Sequence, residues 1–234
     1  EISCSLVGSE MCIRDRGALT LKSTGLGGKG INADGTLTFD GGSATVVTTG
    51  GKYVYNATQD LTSSPKGVKA DGDIVINGGE LNISVTGVSD GSEGLESKST
   101  ITVNDGSVYV YAYDDAMNAA TNITVNGGKV CCHAVNNDGI DSNGTITVTG
   151  GVVIASGTSR PEEGFDCDNN TFKITGGVLI GTGGATSSPT SGVCTQRSVI
   201  YNGISATKGS LLCIRNSAGT PILVYDCLLY TSDA

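Results

Sequence analysis

The chain has 234 residues, with 23 acidic against 14 basic side chains and a formal net charge of −9. Such a surface repels nucleic acid and anionic lipid while attracting cations, and no apolar run is long enough to cross a membrane. The eight cysteines show no CxxC spacing, which argues against zinc.

In chain order, residues 1–16 (EISCSLVGSEMCIRDR) carry no motif found elsewhere and resemble translated sequencing-adapter read-through, as do 226–234 (DCLLYTSDA). Both are set aside from the fold as non-native, leaving 17–225 as one domain. Gly17 to Ser23 reads as the last strand of an incomplete coil. A repeat then begins, opened by Gly30-Ile31-Asn32, Gly67-Val68-Lys69, Gly94-Leu95-Glu96, Ala116-Met117-Asn118, Gly139-Ile140-Asp141 and Gly164-Phe165-Asp166. From each opening to the next turn (Gly41-Gly42, Gly78-Gly79, Asp105-Gly106, Gly127-Gly128, Gly150-Gly151, Gly176-Gly177) the step is eleven residues five times and twelve once. The full period runs from 22 to 37 residues, the mark of a solenoid. Apolar residues alternate within a coil, as in Ile74 and Ile76, then Leu81, Ile83 and Val85, which is the signal of strands with one buried face. No segment sustains a helical period.

The expected fold is therefore all-β: a single-stranded right-handed parallel β-helix (β-solenoid), its hand following from the right-handedness of parallel crossovers. Between Val46 and Pro65 an insertion with Tyr53-Val54-Tyr55 reads as a loop or an extra strand pair, on a face where binding is often found. After Gly177 the pattern decays through GTGGATSSPTSG, with a last turn-like Gly192-Val193. Leu211 to Tyr225 reads as a hairpin around Asn216 to Thr220, capping the open sheet end against edge pairing. Cys132 falls in the column of Ile83 and Val110, and Cys167 in that of Ala33, Ala70, Ala119 and Ser142, so both read as small buried hydrophobes. His133 alternates outward with Cys131 and has no catalytic partner in view.

The chemistry lies in two columns. The residue before each opening reads Lys29, Lys66, Glu93, Asp115, Asp138, Glu163; two places beyond the opening stand Asn32, Lys69, Glu96, Asn118, Asp141, Asp166. Coils stack at about 4.8 Å, so equivalent residues become neighbours. Like charges that close cost about 3 kcal/mol per pair at an effective dielectric near 20. Protonation relieves this; Ca²⁺, which takes carboxylate, amide and carbonyl oxygens together, relieves it better. Glu93, Glu96, Asp114, Asp115, Asn118, Asp138, Asp141, Glu163, Asp166 and Asp168 are the expected ligands, with Asn143 close enough in sequence to join them. The alternative for any one of them is a turn former bonded to its own backbone.

The segments KGVKADGDIVINGG (66–79), NNDGIDSNGTITVTGG (136–151) and RPEEGFDCDNNTFKITGG (160–177), followed by GTGGATSSPTSGVCTQ, resemble the carbohydrate-binding domain-containing proteins of anaerobic Gram-positive bacteria. The resemblance implies a right-handed β-helix similar to polysaccharide lyases, bound calcium, a location outside the cell or on its surface, and binding of cellulose or pectin-like acidic glycans. The departures are Lys29, Lys66 and Lys69 in place of acids, and Cys194 where an acid or small polar residue would continue the column. Tyr109, Tyr111 and Tyr113 alternate with Val108, Val110 and Ala112, so the rings point outward and form a candidate glycan platform; outward Tyr is also an ordinary strand residue. The reading is a non-catalytic, monomeric, calcium-containing polysaccharide-binding protein. A calcium-dependent lyase with Lys69 or Lys98 as base, or an adhesin segment, stands as the alternative.

Overall fold

The computed structural model describes residues 5–6, 10–13, 17–203 and 210–226. Alternating β-branched and aliphatic residues, punctuated by glycine turns, produce strands and, among the described residues, no helix. The chain divides into two compact units, Glu1–Arg197 and Ser198–Ala234.

The first unit is a parallel β-solenoid of three seven-stranded sheets, each successive strand of a coil joining the next sheet. The first sheet holds Lys29–Ala33, Lys66–Ala70, Glu93–Ser97, Met117–Ala119, Ile140–Ser142 and Phe165–Asp166. The second includes Thr36–Phe39, Ile74–Ile76, Thr100–Val103, Asn122–Val125, Thr145–Val148 and Phe172–Ile174. The third runs from Ala18–Ser23 to Val178–Thr182. Register is kept coil after coil, so Leu37, Ile74, Ile101, Ile123, Ile146 and Phe172 stack into one buried column. Each such side chain contributes roughly 1.5–3 kcal/mol on burial. Cys132 and Cys167 are buried in the columns expected of them.

Glycine sets the turn between the second and third sheets. Gly42, Gly79, Gly106, Gly128, Gly151 and Gly177 all have positive φ, from 74° to 97°, which glycine adopts without steric cost. A Cβ on Gly79 would also lie 2.6 Å from the carbonyl oxygen of Gly42 in the coil before it. One residue ahead of this turn region, a stack of amides ending on the Asp40 carboxylate holds the coils together. Asn77 Nδ2 donates to Asp40 Oδ1 at 2.7 Å, Asn104 Nδ2 to Asn77 Oδ1 at 2.8 Å, Asn126 Nδ2 to Asn104 Oδ1 at 2.9 Å, and Thr149 Oγ1 to Asn126 Oδ1 at 2.8 Å. Its members stand at one fixed place before each turn, so equal spacing along the chain brings them together.

The ends depart from expectation in two ways. The described parts of 1–16 belong to the coil stack: Ser5–Leu6 pairs in parallel with Lys29–Ala33, and Glu10–Ile13 with Thr36–Phe39. An open strand edge accepts an extended segment without the Gly/Asn turn motif that identifies a repeat. At the other end, the decaying segment after Thr182 itself lines the last strands. Ser187 N donates to Phe165 O at 2.9 Å, Thr190 N to Phe172 O at 2.8 Å and Thr195 N to Ile174 O at 3.1 Å.

The insertion is an extra strand pair, Tyr53–Asn56 with Leu61–Ser63, antiparallel. In the second unit, Leu211–Arg215 and Pro221–Asp226 form the expected antiparallel hairpin. Its turn is fixed by Asn216 Oδ1, which accepts from Ala218 N at 3.0 Å and Thr220 N at 2.9 Å. Residues 227–234 of the excluded tail lie outside the described residues.

Candidate functional site

Strand pairing builds the acidic columns as stacking requires. Glu96, Asn118, Asp141 and Asp166 are register partners on the first sheet, preceded by Lys69 and Asn32. Beside them, Gly94 N bonds Asp115 O at 2.9 Å, Ala116 N bonds Asp138 O and Gly139 N bonds Glu163 O, both at 3.1 Å. The openings must be small: a Cβ on Gly94 would lie 2.1 Å from Val110 Cγ1, where the third sheet passes behind the acids.

Charge is handled differently at the two ends of these columns. Glu96 is 2% exposed, and Glu93 and Lys66 are also buried. Lys66 Nζ lies 2.8 Å from Glu93 Oε2 and 3.2 Å from Glu96 Oε2, while Lys98 pairs with the other oxygen of Glu96. Burial pushes both glutamates up and leaves Glu93 at about 7 in spite of Lys66; for Glu96 the two lysines together outweigh burial and hold the carboxyl below its ordinary value. Two carboxylates and two ammonium groups thus close a neutral cluster. Lys69, the other candidate base, pairs with Asp71.

The next coils have no such partner. Among the described residues, no ion pair reaches Asp115, Asp138 or Asp141. Burial, then Asp114, raises Asp115 to about 7. Burial, then Asp166, raises Asp138 to about 7. Burial, then Asp115 and Asp138, raises Asp141 to about 8. The side chains take neutral donors instead: Asn118 Nδ2 lies 3.1 Å from both Asp115 Oδ2 and Asp141 Oδ2. Asp115 Oδ1 accepts the Asp138 amide at 3.0 Å, and Asp138 Oδ1 accepts the Glu163 amide. First-column aspartates therefore bond the backbone of the following coil, not their own.

The remaining expected ligands divide. Asp166 Oδ1 accepts from Asp168 N at 2.7 Å and Ser187 Oγ at 3.3 Å. Asp168 itself is exposed, in the left-handed region at φ 52°. Asp114 is taken up by Asn137 Nδ2 at 2.7 Å and the Gly91 amide. Glu163 is half-buried and raised, by burial first. Asn143 contributes its carbonyl to Asn170 Nδ2 at 3.2 Å. Ser187, not Cys194, continues the column, since its Oγ also accepts from Cys167 N at 3.0 Å. Cys194 instead meets the second sheet, where Ile174 N donates to its sulfur at 3.2 Å.

Calcium fits these two stretches unequally. Glu93 and Glu96 do not fit it, because the Lys66 ammonium already lies against both. Asp115, Asp138 and Asp141 supply hard oxygen donors with uncompensated charge, the chemistry Ca²⁺ selects. Among the described residues, however, no three Asp, Glu, His or Cys side chains converge as a ligand group.

The third sheet carries the aromatic face. Ser107–Ala112 turns Tyr109 and Tyr111 outward while Val108, Val110 and Ala112 are buried. Tyr113 lies past the strand end, at the corner leading to Asp114 and Asp115, so the platform has two rings on the strand rather than three. The neighbouring strand, Lys129–Ala134, enlarges it. His133 stacks on Tyr111 with centroids 5.6 Å apart and planes at 25°, and Lys129 Nζ stands 5.3 Å from the Tyr109 ring centre. Burial lowers the His133 pKa, favouring neutral imidazole. The pairing follows from register, Tyr109 opposite Cys131 and Tyr111 opposite His133. His133 thus lies with the outward rings, a position beside Tyr111 that alternation along one strand does not reveal.

The chain is thus a parallel β-solenoid whose third sheet carries outward rings beside an acidic corner. A sequence model of carbohydrate-binding domain-containing proteins matches residues 11–91 and 82–137, which together span more than half of the chain, and the chain belongs to that family. The match includes Tyr109, Tyr111, His133 and Asp115 but not 160–177. No curated protein and no solved structure matches the chain.

Proposed function

We propose that this chain is a secreted, non-catalytic polysaccharide-binding protein that holds plant cell-wall glycan on the outer face of its third sheet. The observation carrying this is the cluster of Tyr109, Tyr111, His133 and Lys129: flat apolar rings with polar groups at their edges, on a sheet that does not have to deform to receive a sugar chain. Family membership supports carbohydrate as the ligand class, and the outward rings support this face as its site.

Calcium has a structural part in this proposal. Asp115, Asp138 and Asp141 are the residues that would hold it, with Asp166 beside them. Bound there, the ion supplies positive charge that stabilises the stacked carboxylates, and the acidic corner keeps its shape next to the platform.

Retention on insoluble cellulose and on immobilised polygalacturonate, with and without chelator, tests the proposal. The expected result is retention of the native chain on at least one of the two polymers and its loss in Tyr109→Ala/Tyr111→Ala. Undiminished retention by that double variant would remove the platform. Isothermal titration showing no Ca²⁺ uptake at pH 8 would remove the ion.

A further inference from the structure

The outer face of the third sheet changes character along the solenoid. On an antiparallel or solvent-facing sheet, outward positions are ordinarily polar, and one outward column of the early coils obeys this: Thr20, Thr45 and Asn82 are register partners, although Val47 stands outward beside Thr45. The same column then continues as Tyr109, Cys131, Ile154 and Ile180. Beside it, Val152 and Val178 are 38% and 47% exposed. The core does not require these residues, since Val153 and Ala155 between them already fill it at 0% exposure. On the other side run Tyr111, His133, Ser156 and Thr182, also in register, with Ser156 Oγ and Thr182 Oγ1 2.8 Å apart.

We infer that this apolar column is a binding track for an uncharged polysaccharide chain lying parallel to the solenoid axis, across the strands, with Ile154 and Ile180 continuing the surface begun by Tyr109. Resting on the proposed platform, the inference adds its direction, its extent and the class of sugar. Four strands at about 4.8 Å each carry the track about 14 Å from Tyr109 to Ile180, long enough for several sugar units. The apolar side chains meet the C–H faces of the rings, and the hydroxyl of Thr182, held from beneath by buried Ser156, lines with the His133 imidazole the edge where sugar hydroxyls emerge. A uronate polymer fits poorly. Its carboxylates would lose water against aliphatic side chains without a partner beyond Lys129, and a chain of net charge −9 repels a polyanion.

The test uses affinity electrophoresis in hydroxyethyl cellulose and in polygalacturonate, with the full chain and the variants Tyr109→Ala, Ile154→Asp and Ile180→Ser. Burying an aliphatic side chain changes affinity by roughly tenfold, so Ile154→Asp is expected to weaken neutral-glucan binding at least about tenfold, as Tyr109→Ala does, and Ile180→Ser less. Native polygalacturonate binding should be the weaker of the two. Thermal melting confirms that each outward substitution leaves the chain folded, and Ile180→Ser keeps the test open should Ile154→Asp not fold. Loss of binding in Tyr109→Ala with none in either isoleucine variant would overturn the track and leave the platform. No loss in any variant would overturn both. Tighter binding of polygalacturonate would overturn the assigned sugar class. A native dimer in sedimentation that Ile154→Asp dissolves, with glycan binding unchanged, would make the face a contact between copies and overturn the track.

Discussion

Two neighbouring stretches of one column solve the same electrostatic problem in different ways. At Glu93 and Glu96 the chain carries its own cation, with Lys66 between the two carboxylates and Lys98 on the outer oxygen. In the following coils Asp115, Asp138 and Asp141 have only amide donors; burial raises their carboxyls to about 7, 7 and 8, as it raises Glu93 to about 7, but no lysine stands against them among the described residues. Stacking alone forces carboxylates together; which residue stands one coil earlier in the column decides whether the charge is neutralised internally.

The largest effect expected from this contrast is at Lys66. Lys66→Met leaves Glu96, 2% exposed, and Glu93 with most of their compensation gone, and removing one partner of a buried pair costs about 3–5 kcal/mol. Urea unfolding measures it, and adding Glu93→Gln should recover part of the loss. A cost below about 1 kcal/mol would break the contrast. Added Ca²⁺ should stabilise Lys66→Met more than the native chain, because the substitution gives the first stretch the charge state of the second.

Next in size is the response to pH. Folding raises the pKa of Asp115, Asp138 and Asp141, so in chelator the folded state binds more protons than the unfolded state from the ordinary carboxylate range up to about pH 7–8. Their contribution favours folding at the acid end of that window and is lost as pH rises through it. Melting temperature in chelator should therefore fall between pH 5 and pH 8, and Ca²⁺ should restore it at pH 8. Asp141→Asn removes one charge from the group and should stabilise the chelated protein at pH 8 by about 1–4 kcal/mol, while flattening the pH response. A native chain whose melting temperature rises steadily to pH 8 in chelator contradicts the uncompensated second stretch.

The smallest effect is at the amide stack. Asn104 donates to Asn77 and accepts from Asn126, so Asn104→Ala removes two exposed hydrogen bonds. The expected cost is about 1 kcal/mol or less. Unlike the acidic variants, it should not depend on pH or cations, which chemical denaturation at pH 5 and pH 8 checks.

The solenoid was legible because its signals are local and repeated: alternation in Ile74 to Val85, a positive-φ glycine in each turn, eleven residues between openings. The register that places Asp141 against Asp166 and Cys132 against Val110 follows from the same count. The pairing of Glu10–Ile13 with Thr36–Phe39 was not legible, because that segment has no repeat's turn residues. The aromatic platform was half legible. Tyr109 and Tyr111 were placed by alternation along one strand, whereas His133 and Lys129 join them only across the gap between coils. Lys66 was visible one place before Glu93 in its column, and stacking alone would have paired them; it was read as a missing acid instead of as the cation.

By itself the sequence determined that the chain coils into parallel sheets, which residues face inward, and which acids become neighbours, since a fixed repeat converts spacing along the chain into spacing in space. Only the tertiary structure decided where each side chain goes once stacked. It turned Asp115 and Asp138 onto the backbone of the next coil, laid Lys66 against two buried glutamates, and brought His133 onto Tyr111. Those outcomes depend on side-chain reach and burial across about 4.8 Å between coils, and one-dimensional order leaves both of these open.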